Sequence, residues 1–124
     1  MTAANPAHDR KVVCTTDQLT EAGAGVRFEV THPLNGALPA FVVRVEGQAK
    51  GYLNRCSHVP VELDWPTNQF LDESGLYIVC ATHGAMYLAE DGQCAGGPCN
   101  GRGLVGLDIT EQDGVIWCRS EIAD

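Results

Sequence analysis

Four side chains in this sequence have the types and spacing to share one metal centre. Cys56 and His58 are separated by Ser57, and Cys80 and His83 by Ala81-Thr82. A Cys-x-His or Cys-x-x-His step is short enough for both side chains of one loop to converge on a point. Two such steps supply two thiolates and two imidazoles, and that donor set suits two chemistries. In a [2Fe–2S] centre, two thiolates can hold one iron and two neutral imidazoles the other. In a structural zinc site, all four ligands close a tetrahedron. Only the first does redox chemistry. Two imidazoles bring less negative charge than two further thiolates, so an added electron is accepted more readily than by a four-cysteine cluster. The oxidised site is close to neutral, which permits partial desolvation without a large penalty.

Such ligands need rigid bases. Short β-type runs alternate with turn signals along the chain, the pattern of a small all-β domain. Val12-Val13-Cys14 reads as a first strand, and Thr16-Asp17-Gln18-Leu19 as one helical turn capped by Thr16. Val26-Arg27-Phe28-Glu29-Val30 alternates apolar and polar, as a half-buried strand does. Phe41-Val42-Val43-Arg44-Val45 and Ala49-Lys50-Gly51-Tyr52-Leu53 flank Glu46-Gly47 as a hairpin. Leu76-Tyr77-Ile78-Val79 runs into Cys80, and Met86-Tyr87-Leu88 turns back through Glu90-Asp91-Gly92 to Gln93-Cys94. A strand from Leu104 to Ile109 and Val115-Ile116-Trp117-Cys118 form a closing hairpin around Gln112-Asp113-Gly114. There is no long helical pattern, no repeat and no linker. Each ligand pair thus follows directly on a strand, Tyr52-Leu53-Asn54 or Ile78-Val79, and a metal site on a β scaffold is best built that way.

With 124 residues the chain suffices for one domain, with residues 1–11 a loose polar tail. A net charge of −8 argues against nucleic acid as a partner. It suits a partner with a basic docking patch, or simply keeps a small domain in solution. No apolar run approaches the ~18–20 residues of a membrane span. The first residues have neither an apolar signal core nor a twin arginine, so the expected location is the cytoplasm. There, six cysteines are expected to be metal ligands or buried thiols rather than a disulfide frame.

Taken together, Cys56-x-His58, Cys80-x-x-His83-Gly84, the tight Gly96-Gly97-Pro98 loop and the closing hairpin resemble the Rieske iron–sulfur domains, over residues 12–118. The resemblance implies an all-β fold: a small antiparallel β-sandwich carrying an inserted cluster-binding subdomain at residues 54–102, within a single domain spanning 1–124. It implies one [2Fe–2S] cluster per chain. Cys56 and Cys80 would hold the inner iron, and His58 and His83 the outer iron at the tip. Ala85, Tyr87 and Pro98 would surround the cluster. High-potential members join the ligand loops by a disulfide, but Val61 and Thr82 stand at those positions here. Such members also place a serine where this chain has Ala85. Losing that donor to cluster sulfur lowers the potential. Tyr87 matches a tyrosine that donates to a cysteine sulfur in those members and raises it, or is simply a core aromatic. The balance resembles the soluble ferredoxin branch, in the lower part of the Rieske range, on the order of −150 mV to somewhat above zero.

That branch implies a one-electron carrier rather than a catalyst, taking electrons from an NAD(P)H-linked flavoprotein reductase and passing them to an oxygenase or another redox enzyme. The chain has no Gly-x-Gly-x-x-Gly fingerprint and no His-rich second metal site, so it lacks the parts to oxidise NADH or activate oxygen alone. The alternatives are an electron-transfer subunit of a larger oxidoreductase such as a nitrite-reductase-like complex, a zinc-stabilised binding module, and an iron–sulfur sensor. The oligomeric state is open.

Between the ligand pairs, residues 59–79 hold Trp65 and Phe70, expected as a lid over the cluster, and the acids Glu62, Asp64, Asp72 and Glu73, available for docking. Cys94 and Cys99 flank the glycine–proline turn; thiols packed beside the cluster are expected there, the alternative being a strained disulfide with a redox role. Cys14 and Cys118 are expected as buried small hydrophobes on strands that pair. His8 and His32 are not expected as ligands, and Asn54 is placed to satisfy loop amides. Arg55 and Arg102 face either an acidic partner or water.

Overall fold

The computed structural model describes residues 10–56, 61–64, 68–82, 84–99 and 101–119. Among them the strands are β1 (Arg10–Thr15), β2 (Val26–His32), β3 (Gly36–Val45), β4 (Gln48–Leu53), β5 (Tyr77–Val79), β6 (Met86–Leu88), β7 (Cys94–Gly96), β8 (Ile109–Gln112) and β9 (Val115–Arg119). They make three antiparallel sheets, ordered β1-β9-β8, β2-β3-β4 and β5-β6-β7. The last is inserted in the chain between β4 and β8.

The layering follows from β3. Its run Ala40-Phe41-Val42-Val43 has no polar alternate, which is how a strand reads when both faces are buried, and all four residues are fully buried. Val42 packs with Cys14 of β1 and Ile116 of β9, and Ala40 with Cys118. Phe41, Val43 and Val45 face the opposite way, into a core with Leu63, Phe70, Ile78 and Tyr87 that also contains Cys56 and Cys80. The β2-β3-β4 sheet is therefore a middle layer. One face closes an antiparallel sandwich, and the other carries the expected ligand loops. Phe70 stacks on Phe41 with ring centroids 3.9 Å apart, a contact worth about 0.5–1.5 kcal/mol beyond burial.

Two hairpins turn through residues with positive φ at both central positions. These are Glu46-Gly47 (50° and 82°) and Asp113-Gly114 (55° and 78°), the geometry whose twist matches the flanking strands. At the first turn the Glu21 carboxylate accepts hydrogen bonds from both Glu46 N and Gly47 N at 2.7 Å. Cys14 and Cys118 are buried on the paired strands β1 and β9, as expected. Burial raises both thiols, Cys118 to about 11.

Two local readings are corrected and one hairpin is added. The 3₁₀ turn Thr16–Gln18 is preceded by an extended Thr15, and Gln18 Oε1 accepts from Thr15 N at 2.8 Å; the cap is Thr15, one residue before the expected Thr16. The strand expected from Leu104 pairs with β9 only from Ile109 onward. Residues 104–107 first run beside β4, through Leu53 N to Val105 O and Leu107 N to Gly51 O, as the chain crosses from one sheet to another. His32 ends β2 and is buried, and its Nδ1 accepts from Leu34 N and Asn35 N at 3.0 and 3.1 Å. It holds a β2–β3 hairpin that the sequence reading did not anticipate. No helix among the described residues is long and apolar enough to cross a membrane.

The sandwich is tied across its sheets by Arg44, whose guanidinium donates to both Glu111 carboxylate oxygens at 2.8 Å and to Leu19 O at 2.9 Å. The Arg44 hydrogen bond holds the Glu111 carboxyl down at about 2, against an ordinary 4.5. A depressed carboxylate stabilises fully above its unfolded value and loses that contribution as pH falls through its folded one. Glu111→Gln is therefore expected to cost roughly 1 kcal/mol at pH 7 and to flatten the stability profile between about 4.5 and about 2. Urea unfolding at pH 7 and pH 3 measures this. An unchanged difference between the two pH values would sink it.

Candidate metal centre

Both expected ligand loops are closed at their bases by backbone hydrogen bonds. β4 ends at Leu53. Asn54 N then donates to Pro39 O of β3, and Cys56 N donates across the loop to Val61 O at 2.8 Å. The Val61 carbonyl thus closes the first loop. The second loop leaves β5 at Val79, whose N donates to Phe70 O. Cys80 N donates to Ala85 O at 2.8 Å, and Gly84 N to Cys80 O at 2.7 Å. The two loops are joined by Ala81 N donating to Leu63 O at 3.0 Å.

Leu63 is itself held by Asn54. Asn54 Oδ1 accepts from Leu63 N at 2.8 Å and its Nδ2 donates to Asp64 Oδ1 at 3.0 Å. The other Asp64 oxygen accepts from Asn68 N at 2.8 Å and lies 3.7 Å from Arg27 of β2, which also pairs with Glu62. Asn54 was expected to satisfy loop amides, and it does. Of the acids expected to be available for docking, Asp64 and Asp72 are engaged within the fold, while Glu62 and Glu73 are exposed. The Asp64 side chain is only 1% exposed, and Asp72 accepts from Ser74 N and Gly75 N in its own turn. Short loops leave amide donors that β pairing cannot use, and these carboxylates take them. The roles of Asp64 and Arg27 were missed; an acid ten residues past an asparagine carries no local signal of pairing.

Cys56 and Cys80 are both buried, at 2% and 0% exposure, in one apolar core with Tyr87, Ala85 and Phe70. The Tyr87 hydroxyl lies 3.6 Å from Cys56 Sγ, within hydrogen-bond reach of the sulfur, so this tyrosine does more than fill the core. A third loop covers the second ligand loop. A Cβ added at Gly97, whose φ is +75°, would lie 2.6 Å from Gly84 O and 2.9 Å from Ala85 Cα. Pro98 follows on this loop, and Cys94 and Cys99 bracket it in a disulfide with Cα atoms 5.9 Å apart. Packed thiols had been expected there. The turn instead brings the two Cα atoms within the usual span of a disulfide.

His58 and His83 lie outside the described residues, as do His8 and the expected lid residue Trp65. Among the described residues no three His, Cys, Asp or Glu side chains converge as a metal site; the cysteine half of the donor set is the part that can be tested. It fits a cluster. Two sulfurs in a dry core, one within reach of a hydroxyl, on loops fastened by backbone bonds, are suited to an iron whose thiolates are shielded from water. Tyr87→Phe removes a donor whose bond strengthens as negative charge is added. The midpoint potential is then expected to fall by roughly 40 mV, for about 1 kcal/mol of differential hydrogen bonding. An EPR-monitored titration checks this, and an unshifted or raised potential would contradict it.

A family model for the Rieske [2Fe-2S] domain matches residues 9–118. Among solved structures, a chain from the complex of reduced oxygenase and oxidized ferredoxin in carbazole 1,9a-dioxygenase is similar, with a TM-score of 0.70 and 25% identity over 94% of this chain and 97% of that one. The ferredoxin of carbazole 1,9a-dioxygenase from Nocardioides aromaticivorans IC177 aligns at a TM-score of 0.68 and 21% identity, covering 88% of this chain and 95% of that one. The terminal oxygenase of carbazole 1,9a-dioxygenase from Novosphingobium sp. KA1 gives 0.69 and 20% identity over 93% of this chain and only 30% of its own. The last two show a shared fold. No curated protein matches in sequence.

Proposed function

Since the chain belongs to the Rieske [2Fe–2S] domain family, we propose that it is a soluble ferredoxin, moving single electrons between protein partners from the cytoplasm. The family carries one [2Fe–2S] cluster per domain. We assign Cys56 and Cys80 to its inner iron and His58 and His83 to its outer iron, with residues 54–102 as the cluster-binding subdomain of a single domain spanning 1–124. When bound, the cluster supplies reversible one-electron redox chemistry. The chain's own residues do the rest. Asn54, Leu63 and Ala81 fix the two loops relative to each other, the Phe41–Phe70 stack excludes water from behind them, and Tyr87 donates to Cys56 sulfur.

The observation that carries this reading is the burial of both cysteine sulfurs in one core with the Tyr87 hydroxyl 3.6 Å from Cys56 Sγ. The donor we propose is an NAD(P)H-linked flavoprotein reductase, and the acceptor an oxygenase. Support for the acceptor comes from the similar chain in an oxygenase–ferredoxin complex, which this chain nearly spans. The chain itself makes or breaks no substrate bond.

The test is an EPR-monitored redox titration of the purified protein. A rhombic signal appearing on reduction, with average g near ~1.9 and a midpoint in the lower Rieske range, is the expected result. A colourless protein with zinc and no signal would overturn the reading.

A further inference from the structure

We propose that Cys94–Cys99 is a second redox site of this chain, a two-electron thiol–disulfide centre that governs how firmly the covering loop holds the second ligand loop. Its reductant is a dithiol.

Three observations place it there. The bond joins the first residue of β7 to the residue after Pro98, so it ties off the loop whose Gly97 backbone lies directly on Gly84 and Ala85. Cys99 Sγ sits 3.7 Å from Met86 O. The bridge therefore touches β6 just where the chain leaves the second ligand loop. Its two ends also differ in access, with Cys94 part-exposed and Cys99 1% exposed. Thiol–disulfide exchange needs one reachable sulfur and a leaving thiolate, and this pair offers both.

The short spacing bears on what the bond does. The cysteines are five residues apart, and in the chain-entropy account the smallest closed loops add least to global stability. The bond is thus a local brace, and opening it frees the covering loop while leaving the sandwich intact. The other cysteines outside the ligand set, Cys14 and Cys118, are free thiols buried in the sandwich, and burial raises both, so neither is poised to attack the bridge as a thiolate.

In the reaction, one thiolate of the dithiol attacks Cys94 Sγ. The Cys94–Cys99 bond breaks, and Cys99 leaves as a thiolate that takes up a proton. The second thiol of the reductant then displaces Cys94 from the mixed disulfide, and Cys94 also ends as a thiol. The protein gains two electrons and two protons, and the dithiol departs as its own disulfide.

The inference concerns the same site as the proposed cluster and rests on that reading for its consequence, though not for its thiol chemistry. Holoprotein is equilibrated with graded ratios of reduced to oxidised dithiothreitol, alkylated, and mapped by mass spectrometry. In parallel, the rate of iron loss to a chelator and amide exchange at Ala85 and Met86 are followed. Cys94 and Cys99 are expected to become labelled together at ratios that leave the visible spectrum intact. Iron loss and exchange at those two amides should then rise several-fold. The double variant Cys94→Ala, Cys99→Ala should match the reduced protein. Thiols already free in the oxidised protein, a pair that stays closed until the fold is lost, or opening with both rates unchanged would each overturn the proposal. If no iron is present at all, the function reading fails, while labelling and amide exchange still decide this one.

Discussion

Replacing Cys80 with serine is expected to give a protein that holds no cluster: colourless, silent by EPR after reduction, and melting well below the parent. Cys80 is fully buried at the end of β5, in the core that also holds Cys56. A serine hydroxyl there is a poor ligand to iron. It also leaves a polar group in an apolar core, which costs roughly 1–3 kcal/mol before the loss of metal is counted. Since a metal bound only by the folded chain contributes its binding energy to folding, the total is larger than the hydroxyl term. Cys118→Ser is the matched control. That thiol is also fully buried, but between the sheets of the sandwich, so the variant is expected to lose comparable core stability and keep its iron. Iron content per chain for both variants separates ligation from packing. A Cys80→Ser protein with full iron would remove Cys80 from the ligand set.

The second large effect is expected at Asn54. Asn54→Ala strands the Leu63 amide and one Asp64 oxygen, both buried, and each unsatisfied group costs about 1–3 kcal/mol. The loss should be roughly 2–4 kcal/mol in urea unfolding. It should fall on the site as well as on stability, because the Leu63 carbonyl is what receives Ala81 N beside Cys80. Iron release to a chelator should therefore be faster than in a core variant of equal stability. Asn54→Asp should be no better, since it removes the amide donor and sets a second carboxylate against Asp64. Arg27→Gln, at the part-exposed end of the same network, should cost less than about 1 kcal/mol. If Asn54→Ala released iron no faster than a stability-matched control, the link between the loops would not pass through this side chain.

The parts legible in the sequence were those encoded by local spacing or alternation. Cys56 and Cys80 could be singled out because Cys-x-His and Cys-x-x-His are short motifs, and the fold brings both cysteines into one core. β3 could be found because a run buried on both faces has no polar alternate, and the turn at Asp113-Gly114 because glycine tolerates its positive φ. What escaped was encoded by partners far along the chain. Arg27 gives no sign in β2 that it meets Glu62 and Asp64, and the inward turn of Asp64 depends on where Asn54 stands. The choice between thiols and a disulfide at Cys94 and Cys99 depends on how closely a turn brings two Cα atoms together, which composition does not state. Residues 104–107 have the apolar run of a strand, yet run along β4 before the chain pairs with β9 from Ile109, because the chain must cross between sheets there.

The pairing of β1 with β9 has a consequence for how the protein comes to be made. The ligand loops are closed by contacts among near neighbours, from Cys80 to Ala85 and from Cys56 to Val61. The sandwich joins the first strand to the last. Contacts between distant parts of a chain form late, because the entropy of closing the loop between them must be met first. During synthesis β1 therefore waits, its edge unsatisfied, until β9 leaves the ribosome, while the cysteine-bearing loops already exist. Delivery of iron and sulfide can precede closure of the scaffold, and a chain stalled before β9 would present an open strand edge, the kind of surface on which misassembly begins.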